Sequence, residues 1–355
     1  MQQLVKRWAP ALAISAVIAG VALVAPLAAN ASSGLPSTTP AHVLELVQHS
    51  HVSALSGTIK QSADLGIPQL PSGLAGSHAG LSSALELLTG SHTTRVFIDG
   101  PTKARVQVLD KLAERDVIRN GNDVWLYSSD DQTATHLTLP AKADHSKSGM
   151  PQATQTPAQL ATRFLAAIDP STTVTVDKNV TIAGRAAYVL VLTPRTSDTL
   201  VGSVSIAVDG ETGLPLSVAV TPRGQSDAAL SVAFTKLSIG APDAGLFSFT
   251  PPKGSTVKDQ PVKEQAKAPT TKAPDASTHP ATHVTGSGWA SIVEFPASKL
   301  PTSLTESTLL GELSTSVAGG RLLHTSLVNI LLTPDGRAFV GSVPAAALQA
   351  AASNK

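Results

Sequence analysis

The stretch Asp116-Val-Ile-Arg-Asn-Gly-Asn-Asp-Val-Trp-Leu-Tyr127 decides the fold of this 355-residue chain. Apolar side chains recur on both sides of Asn120-Gly121. This dipeptide is a strong short signal for a β-hairpin because both residues tolerate a positive φ. The stretch therefore predicts two antiparallel strands, Asp116–Arg119 and Asp123–Ser128.

The same kind of pattern extends in both directions along the chain. We predict further strands at Gly57–Ala63, Thr93–Asp99, Lys103–Leu109, Thr133–Leu139, Val174–Ile182, Arg185–Thr193, Gly202–Asp209, Leu216–Thr221 and Leu230–Ile239. Runs of strands joined by tight turns indicate an antiparallel sheet. An open sheet of about ten strands curls or closes.

Two Thr-Pro pairs predict the starts of helices, with the threonine as N-cap and the proline in the first helical position. The first helix begins at Thr39-Pro40 and extends to about His51. The second begins at Thr156-Pro157 and ends at Asp169-Pro170. The pattern therefore predicts an α+β fold, in which two amphipathic helices can cover one face of a curved antiparallel sheet.

The composition excludes several classes of protein. There is no cysteine, so disulfides, thiolate nucleophiles and cysteine metal sites are excluded. The 26 Lys and Arg residues nearly balance 25 Asp and Glu residues, which argues against a nucleic-acid partner. Since only 3% of the residues are aromatic and 42% are hydrophobic, the core is aliphatic.

The first 31 residues have the form of a signal peptide. Lys6 and Arg7 precede a long apolar run, and Ala29-Asn30-Ala31 is a cleavage pattern with the cut before Ser32. The run is also long enough to be a retained membrane anchor. Either alternative predicts an exported protein that lies in the cell envelope or periplasm or is secreted.

The mature chain divides by composition. We predict a spacer at 32–38, a sheet domain at 39–257, a disordered Lys/Pro/Thr-rich linker at 258–285 and a small α+β module at 286–355. The module is predicted as a strand (Trp289–Phe295), a helix (Leu304–Ser314), two strands (Leu322–Leu332 and Arg337–Val343) around Pro334-Asp335-Gly336, and a short Ala-rich helix.

An insertion at 64–92 is rich in Gly, Pro and Ser. It contains one helical patch with Leu81, Leu85 and Leu88. The insertion is either a surface loop with a packed turn or an apolar lid over a cavity.

We find no arrangement of residues for catalysis. The Ser-x-x-Lys match at Ser255–Lys258 lies at the edge of the predicted linker, where an ordered base and an oxyanion hole are not expected. His49 and His51 are two residues apart, so they point to different faces of a helix. Asp209-Gly210-Glu211-Thr212-Gly213 reads as a turn. We predict no metal, no cofactor and no enzymatic activity.

The remaining signal is apolar alternation. The strand containing Tyr188, Leu190 and Leu192 is apolar on both faces, so something must cover each face. The cover is either a helix and neighbouring elements or an apolar cavity that takes an acyl chain. The predicted ligand-binding residues of such a cavity are Val96, Ile98, Ile118, Val124, Leu126, Val204, Ile206 and Val208.

The hairpin at Asp116–Tyr127 resembles the signature of periplasmic lipoprotein carriers of the LolA type, and equally that of the N-terminal domain of the MucB/RseB sigma-factor regulators. The segments Ala54–Thr58, Arg95–Pro101, Val208–Leu216 and Phe247–Val257 fit the same pattern in the same order. The matches cover residues 39–257 and are closest to an actinobacterial LolA-like exported protein.

The resemblance implies a curved, unclosed antiparallel β-barrel with helices covering its concave face. It also implies a non-catalytic carrier that binds a lipid or lipidated protein. We predict that this carrier is a monomer. The alternative is a MucB/RseB-like sensor that binds an anti-sigma factor or another membrane-bound regulator or transporter. The linker and the C-terminal module depart from the lipoprotein carriers and motivate this alternative.

Overall fold

The computed structural model describes residues 34–66, 90–109, 114–139, 155–261, 283–297 and 313–353. The predicted signal peptide with its cleavage site at Ala31 and Ser32, the patch of Leu81, Leu85 and Leu88, and residues 304–312 of a predicted helix lie outside these ranges. In the described part of the chain, the helices are too short or too polar to cross a membrane.

Twelve strands form the main sheet. They are β1 (Ala54–Ala63), β2 (Gly90–Asp99), β3 (Lys103–Leu109), β4 (Glu114–Asn120), β5 (Asp123–Ser128), β6 (Thr133–Thr138), β7 (Thr172–Ile182), β8 (Arg185–Pro194), β9 (Val201–Asp209), β10 (Pro215–Pro222), β11 (Leu230–Ile239) and β12 (Thr256–Pro261). Their order is β12-β6-β5-β4-β3-β2-β1-β11-β10-β9-β8-β7. Strands β12 and β7 stand at opposite ends, so the sheet is unclosed.

The predicted α+β fold with a large unclosed antiparallel sheet is confirmed. Strands β1 to β11 pair antiparallel with their neighbours, and β12 pairs parallel to β6. Each hairpin predicted from a tight turn is present. The hairpin predicted from Asn120-Gly121 is present, but its two turn residues are Gly121 and Asn122, because Asn120 pairs with Asp123. Gly121 has a positive φ, whereas Asn120 does not.

Helices α1 (Pro40–Gln48) and α2 (Pro157–Ala166) begin where the Thr-Pro pairs predict. The Thr39 side chain accepts a hydrogen bond from the His42 amide. At α2, Thr156 and Gln159 form a reciprocal capping box. The first helix ends before the predicted His51.

The C-terminal module contains a six-stranded sheet and a helix. Its elements are β13 (His283–Thr285), β14 (Ile292–Phe295), β15 (Thr315–Val317), β16 (Gly320–His324), β17 (Asn329–Leu332), β18 (Ala338–Gly341) and α3 (Ala345–Ser353). The sheet order is β13-β14-β18-β17-β16-β15. Leu331, Phe339 and Leu348 are buried between this sheet and α3.

Three predicted boundaries in this part of the chain are corrected. The predicted strand Leu322–Leu332 is two strands, because the Thr325 hydroxyl accepts hydrogen bonds from the amides of Leu327 and Val328 and closes a turn. Trp289 lies in a 3-10 turn before β14. The predicted linker 258–285 has strands at both ends, since main-chain pairing extends to Pro261 in β12 and begins again at His283 in β13.

Candidate functional site

One face of the main sheet carries most of the predicted ligand-binding residues. We call it the helix face, because Val43 of α1 and Ala161 of α2 pack on it against Leu190, Ile206 and Val218. Directly paired residues of neighbouring strands share a face. Following the pairs across the sheet places seven predicted residues on the helix face: Val96, Ile98, Val124, Leu126, Val204, Ile206 and Val208.

The eighth predicted residue, Ile118, lies on the opposite face. It pairs with Trp125 in the hairpin, whereas Val117 pairs with Leu126 and Arg119 with Val124. Ile118 is 1% exposed. The structure therefore does not place Ile118 on the same surface as Val124 and Leu126.

Under the helices, the helix face is filled by the protein's own side chains. Val204, Ile206 and Val208 are each 0% exposed and belong to a core cluster with Val43 and Ala161. Strand β8 is apolar on both faces, as the sequence indicates. Helices α1 and α2 cover the face that carries Tyr188, Leu190 and Leu192. Val204, Ile206 and Val208 are therefore part of the core beneath the helices.

Away from the helices, the same face becomes partly open. Val96 and Val106 are buried, but the residues around them on strands β2, β4 and β5 are only partly buried. We call these residues, Ile98, Val117, Val124 and Leu126, the apolar strip. Ile98 and Val117 pack against the cluster that contains Val96 and Val106, and Val124 and Leu126 continue the face onto the next strand.

The opposite face of strands β3 to β6 is covered by the strap, residues Ala244–Pro261. The strap begins with a 3-10 turn at Ala244–Phe247 and ends as β12. Phe247 is 2% exposed. The ring of Phe249 lies 5.5 Å from that of Trp125 and 5.7 Å from that of Tyr127, measured between centroids.

A buried ion pair lies on this strap face. Arg105 donates to the carboxylate of Asp116, which is 2% exposed, and also to the carbonyl of Leu246 in the strap at 3.4 Å. Burial raises the pKa of Asp116, and Arg105 only partly opposes that effect. Among the described residues, Asp116 Oδ1 and Arg105 Nε have no hydrogen-bond partner. This pair was not predictable from the sequence, because its members lie on separate strands.

The second buried carboxylate, Asp209, organises the turn after β9. Its oxygen Oδ1 accepts from the amides of Glu211 and Thr212 and from the Thr212 hydroxyl, and Arg185 of β8 binds both of its oxygens. Burial acts to raise the pKa of Asp209, but the hydrogen bonds from Arg185 and Thr212 outweigh it and lower that pKa. The prediction that residues 209–213 form a turn is confirmed.

Two open grooves flank this turn. One, of about 440 Å³, is lined by His49, His51, Val52, Glu211 and Ile239, among others. The other, of about 460 Å³, is lined by Leu35, Arg185, Asp209 and Glu211, among others. Within the described ranges, no group of three or more His, Asp or Glu side chains is placed to hold a metal ion.

The C-terminal module docks on the β7–β9 end of the main sheet. Trp289 stacks on Phe164 of α2 with a centroid distance of 6.5 Å, and its indole nitrogen donates to the Thr172 hydroxyl at 2.8 Å. Leu327 is buried in the same cluster as Leu190 and Ile206. This contact was not predicted, since the sequence shows no periodicity that would pair Trp289 with Phe164.

Polar contacts complete the docking. The Leu200 amide and the Thr199 hydroxyl both donate to the carbonyl of Ser342 at 2.8 Å. Arg223 holds the 196–201 connection in place by donating to the carbonyls of Thr196 and Thr199. The module is therefore held by these hydrogen bonds as well as by the packing of Trp289 on Phe164 of α2.

Comparison with solved structures finds distant likenesses. The MucA/MucB complex of Pseudomonas aeruginosa is 15% identical over 88% of this chain and 96% of that chain, with a TM-score of 0.41. An uncharacterised conserved protein from Thermus thermophilus is 10% identical, with 62% and 98% coverage and a TM-score of 0.34. A LolA superfamily protein from Nitrosomonas europaea is 10% identical, with 60% and 99% coverage and a TM-score of 0.25.

The decisive comparison is with protein families. No curated protein matches the chain. The family model of the MucB/RseB N-terminal domain matches residues 85–266, which is just over half of the sequence and spans strands β2 to β12. The chain therefore belongs to the MucB/RseB N-terminal domain family.

Proposed function

We propose that the protein is an exported, non-catalytic binding protein that holds an acyl chain of a lipid or lipidated protein on the apolar strip. The observation that carries this proposal is the change in burial along the helix face. Beneath α1 and α2 the face is closed by side chains, whereas at Ile98, Val117, Val124 and Leu126 it is only partly buried.

The chemistry of the strip suits a flexible aliphatic ligand. Its members are Ile, Val and Leu, which offer apolar surface without a fixed hydrogen-bonding pattern. Burial of each methylene group contributes about 0.8 kcal/mol, so an acyl chain can bind without a polar motif. This explains why such a site has no sharp signature in the sequence.

The direct test is native mass spectrometry of the full chain purified from its own cell envelope. We expect a bound mass that lipid extraction removes and that fragments as an acyl-bearing molecule. A chain that stays ligand-free, also after incubation with phospholipid vesicles, would contradict the proposal. Sequencing of the mature N-terminus distinguishes a cleaved signal peptide from a retained anchor, because cleavage is expected between Ala31 and Ser32 and a retained anchor would leave Met1.

A second candidate function is that of a regulatory sensor which binds an anti-sigma factor or another membrane-bound regulator. Membership of the MucB/RseB family favours it, as does the docked C-terminal module. The proposed domains are a sheet domain at 39–257 and a module at 286–355, and the contacts of Trp289, Leu327 and Ser342 join them.

Affinity purification of the full chain from detergent-solubilised envelope tests this candidate. A membrane-bound anti-sigma factor, identified by mass spectrometry and rebinding in purified form, would support it. The same purification with Leu327→Ala, which weakens module docking, shows whether docking matters. If the purified regulator binds neither form, the candidate fails, and the lipid proposal is unaffected.

A further inference from the structure

The outer strap, Phe249–Pro261, is attached to the main sheet differently from the other strands. Its strand β12 pairs parallel to β6, from Thr256 beside Thr133 to Pro261 beside Thr138. The other strand pairs described in this sheet are antiparallel. A parallel pair is slightly less stable per residue than an antiparallel pair.

The outer strap also contributes little to the core. Lys258 and Asp259 are exposed, and the Val257 side chain, on the same strand, is 49% exposed. The buried anchor of the strap is Phe247, which precedes this segment. Release of the outer strap would therefore not require Phe247 to leave its buried position.

Among the described residues, Phe249 and Asp259 make side-chain contacts that hold the outer strap. Phe249 packs against Trp125 and Tyr127. Farther along, Asp259 Oδ1 lies 3.2 Å from Nδ1 of His136, a ring that stacks on Trp125 at 4.4 Å. Asp259 is 81% exposed in this pair, and exposed ion pairs contribute little to stability.

The surface beneath the outer strap has the parts of a peptide-binding site. The edge of β6 offers a row of main-chain donors and acceptors, the rings of Trp125 and Tyr127 accept an aromatic side chain, and His136 faces a carboxylate. Extended peptides bind proteins by adding a strand to such an edge.

The outer edge of β12 is a poorer place for strand addition. The Thr256 amide donates to the Gln132 carbonyl at 2.8 Å. The main-chain N–H and C=O groups of successive residues in a strand point to opposite neighbours. Since those of Thr256 point toward β6, those of Lys258 also point toward β6. Val257 and Asp259 direct theirs away from β6, and Pro261, next in that series, has no N–H to donate.

We propose that the outer strap is displaceable and that the β6 edge with Trp125, Tyr127 and His136 is a docking site for an extended segment of another protein. The occupant carries an aromatic residue for the Trp125–Tyr127 niche and an acidic residue for His136, as the strap does. A free strand with the strap's order of aromatic and acidic residues enters parallel to β6, as β12 does.

The tethered strap competes with any free peptide. A short tether gives an effective concentration in the mM range, so a free peptide binds the unmodified chain only weakly. Phe249→Ala in the full chain removes an anchor of the strap but leaves Trp125, Tyr127 and His136 unchanged. This variant is expected to bind a strap-like peptide at least tenfold more tightly.

The probe is a fluorescein-labelled peptide with the sequence of Phe249–Pro261, and its binding is measured by fluorescence anisotropy at concentrations up to ~1 mM.

A double-cysteine variant, Thr135→Cys with Lys258→Cys, serves as a disulfide lock that fixes the outer strap on the sheet. The two positions are paired residues on β6 and β12. The chain has no other cysteine, so the bridge is unambiguous. Neighbouring strands lie about 5 Å apart, within the reach of a disulfide.

We expect the peptide to bind the reduced double-cysteine variant at least tenfold more tightly than the oxidised, disulfide-bridged form. Reduction of the bridged form should restore binding. A peptide with Asn at the position of Asp259 and a scrambled peptide should bind more weakly. Equal binding to both redox states, or no binding to the Phe249→Ala chain, would overturn the proposal. A dimer that forms only in the reduced state would make the occupant a second copy and would also overturn it.

Discussion

Arg185 binds the carboxylate of Asp209 through two guanidinium nitrogens, with Nη2 2.9 Å from Oδ1. The Asp209 side chain is 1% exposed, whereas that of Arg185 is 25% exposed. The same Oδ1 accepts from the Thr212 amide at 2.8 Å. The Asp209 carboxylate thus connects the start of β8 to the β9–β10 turn. The C-terminal end of α1 packs against this turn, where the Leu46 carbonyl lies close to Gly213.

We expect Asp209→Asn to destabilise the protein by about 1.5–3 kcal/mol, because a buried amide group cannot accept all the hydrogen bonds that the carboxylate accepts from Arg185 and Thr212. Urea unfolding at pH 7 measures the loss. Glu211→Gln is the matched control, since Glu211 contacts the same arginine but is 82% exposed. Its effect should stay below about 1 kcal/mol, and equal losses for the two variants would contradict the role assigned to Asp209.

The lowered pKa of Asp209 gives its contribution a defined pH dependence. A carboxyl with a folded pKa below its unfolded value stabilises the protein above about pH 4 and loses this effect as pH falls through the folded pKa. Asp116, whose pKa burial raises, acts in the opposite direction. We expect the stability difference between wild type and Asp209→Asn to shrink below about pH 4. A difference independent of pH would contradict this assignment.

Gly213 and Gly121 form a matched pair of turn glycines. Both have a positive φ, +70° and +64°. A Cβ at Gly213 would lie 2.0 Å from the Leu46 carbonyl oxygen, whereas at Gly121 nothing lies within 4 Å. We expect Gly121→Ala to cost about 1 kcal/mol from backbone strain and Gly213→Ala about 3 kcal/mol or more, because α1 must shift. Thermal unfolding measures the stability of the two variants. Similar losses of stability would contradict this prediction, because they would show that α1 shifts at little cost.

The fold was largely predictable because local signals dominate its hairpins. Positive-φ turn residues and alternation locate strands β2 to β5 to within a few residues, and the Thr-Pro caps give the starts of both helices. The parallel strand β12 was not predictable, because Val257-Lys258-Asp259 has the composition of a linker and its pairing with β6 is non-local.

The candidate site was predictable only in part. The two-residue turn at Gly121-Asn122 pairs Asn120 with Asp123, so Ile118 and Val124 necessarily lie on opposite faces. That parity could have been derived from the sequence. The burial of Val204 by α1 and α2 depends on where the helices dock, which no local pattern reveals.

Docking of the C-terminal module can be tested at Leu327, which is 6% exposed in a cluster formed mainly by the sheet domain. Leu327→Ala removes buried apolar surface and should weaken docking by about 2–3 kcal/mol. Hydrogen exchange should quicken at Leu200 and Ser326, whose amides bond across the contact. Val284→Ala, at a side chain that is 56% exposed, is the control. Unchanged exchange in Leu327→Ala would show that the polar contacts alone hold the module.

The apolar strip predicts which substitutions abolish acyl binding. Val124→Asn and Leu126→Asn place polar amides on the strip, where burial under an acyl chain would leave them without hydrogen bonds. We expect each to weaken binding of a fluorescent C16 fatty acid about tenfold or more, at a cost of about 1–3 kcal/mol. Val257→Asn, at an exposed position on β12, is the control and should bind as wild type does. Because Val124 and Leu126 are only partly buried, the variants should remain folded. Full binding by both variants would locate the ligand elsewhere than on the strip.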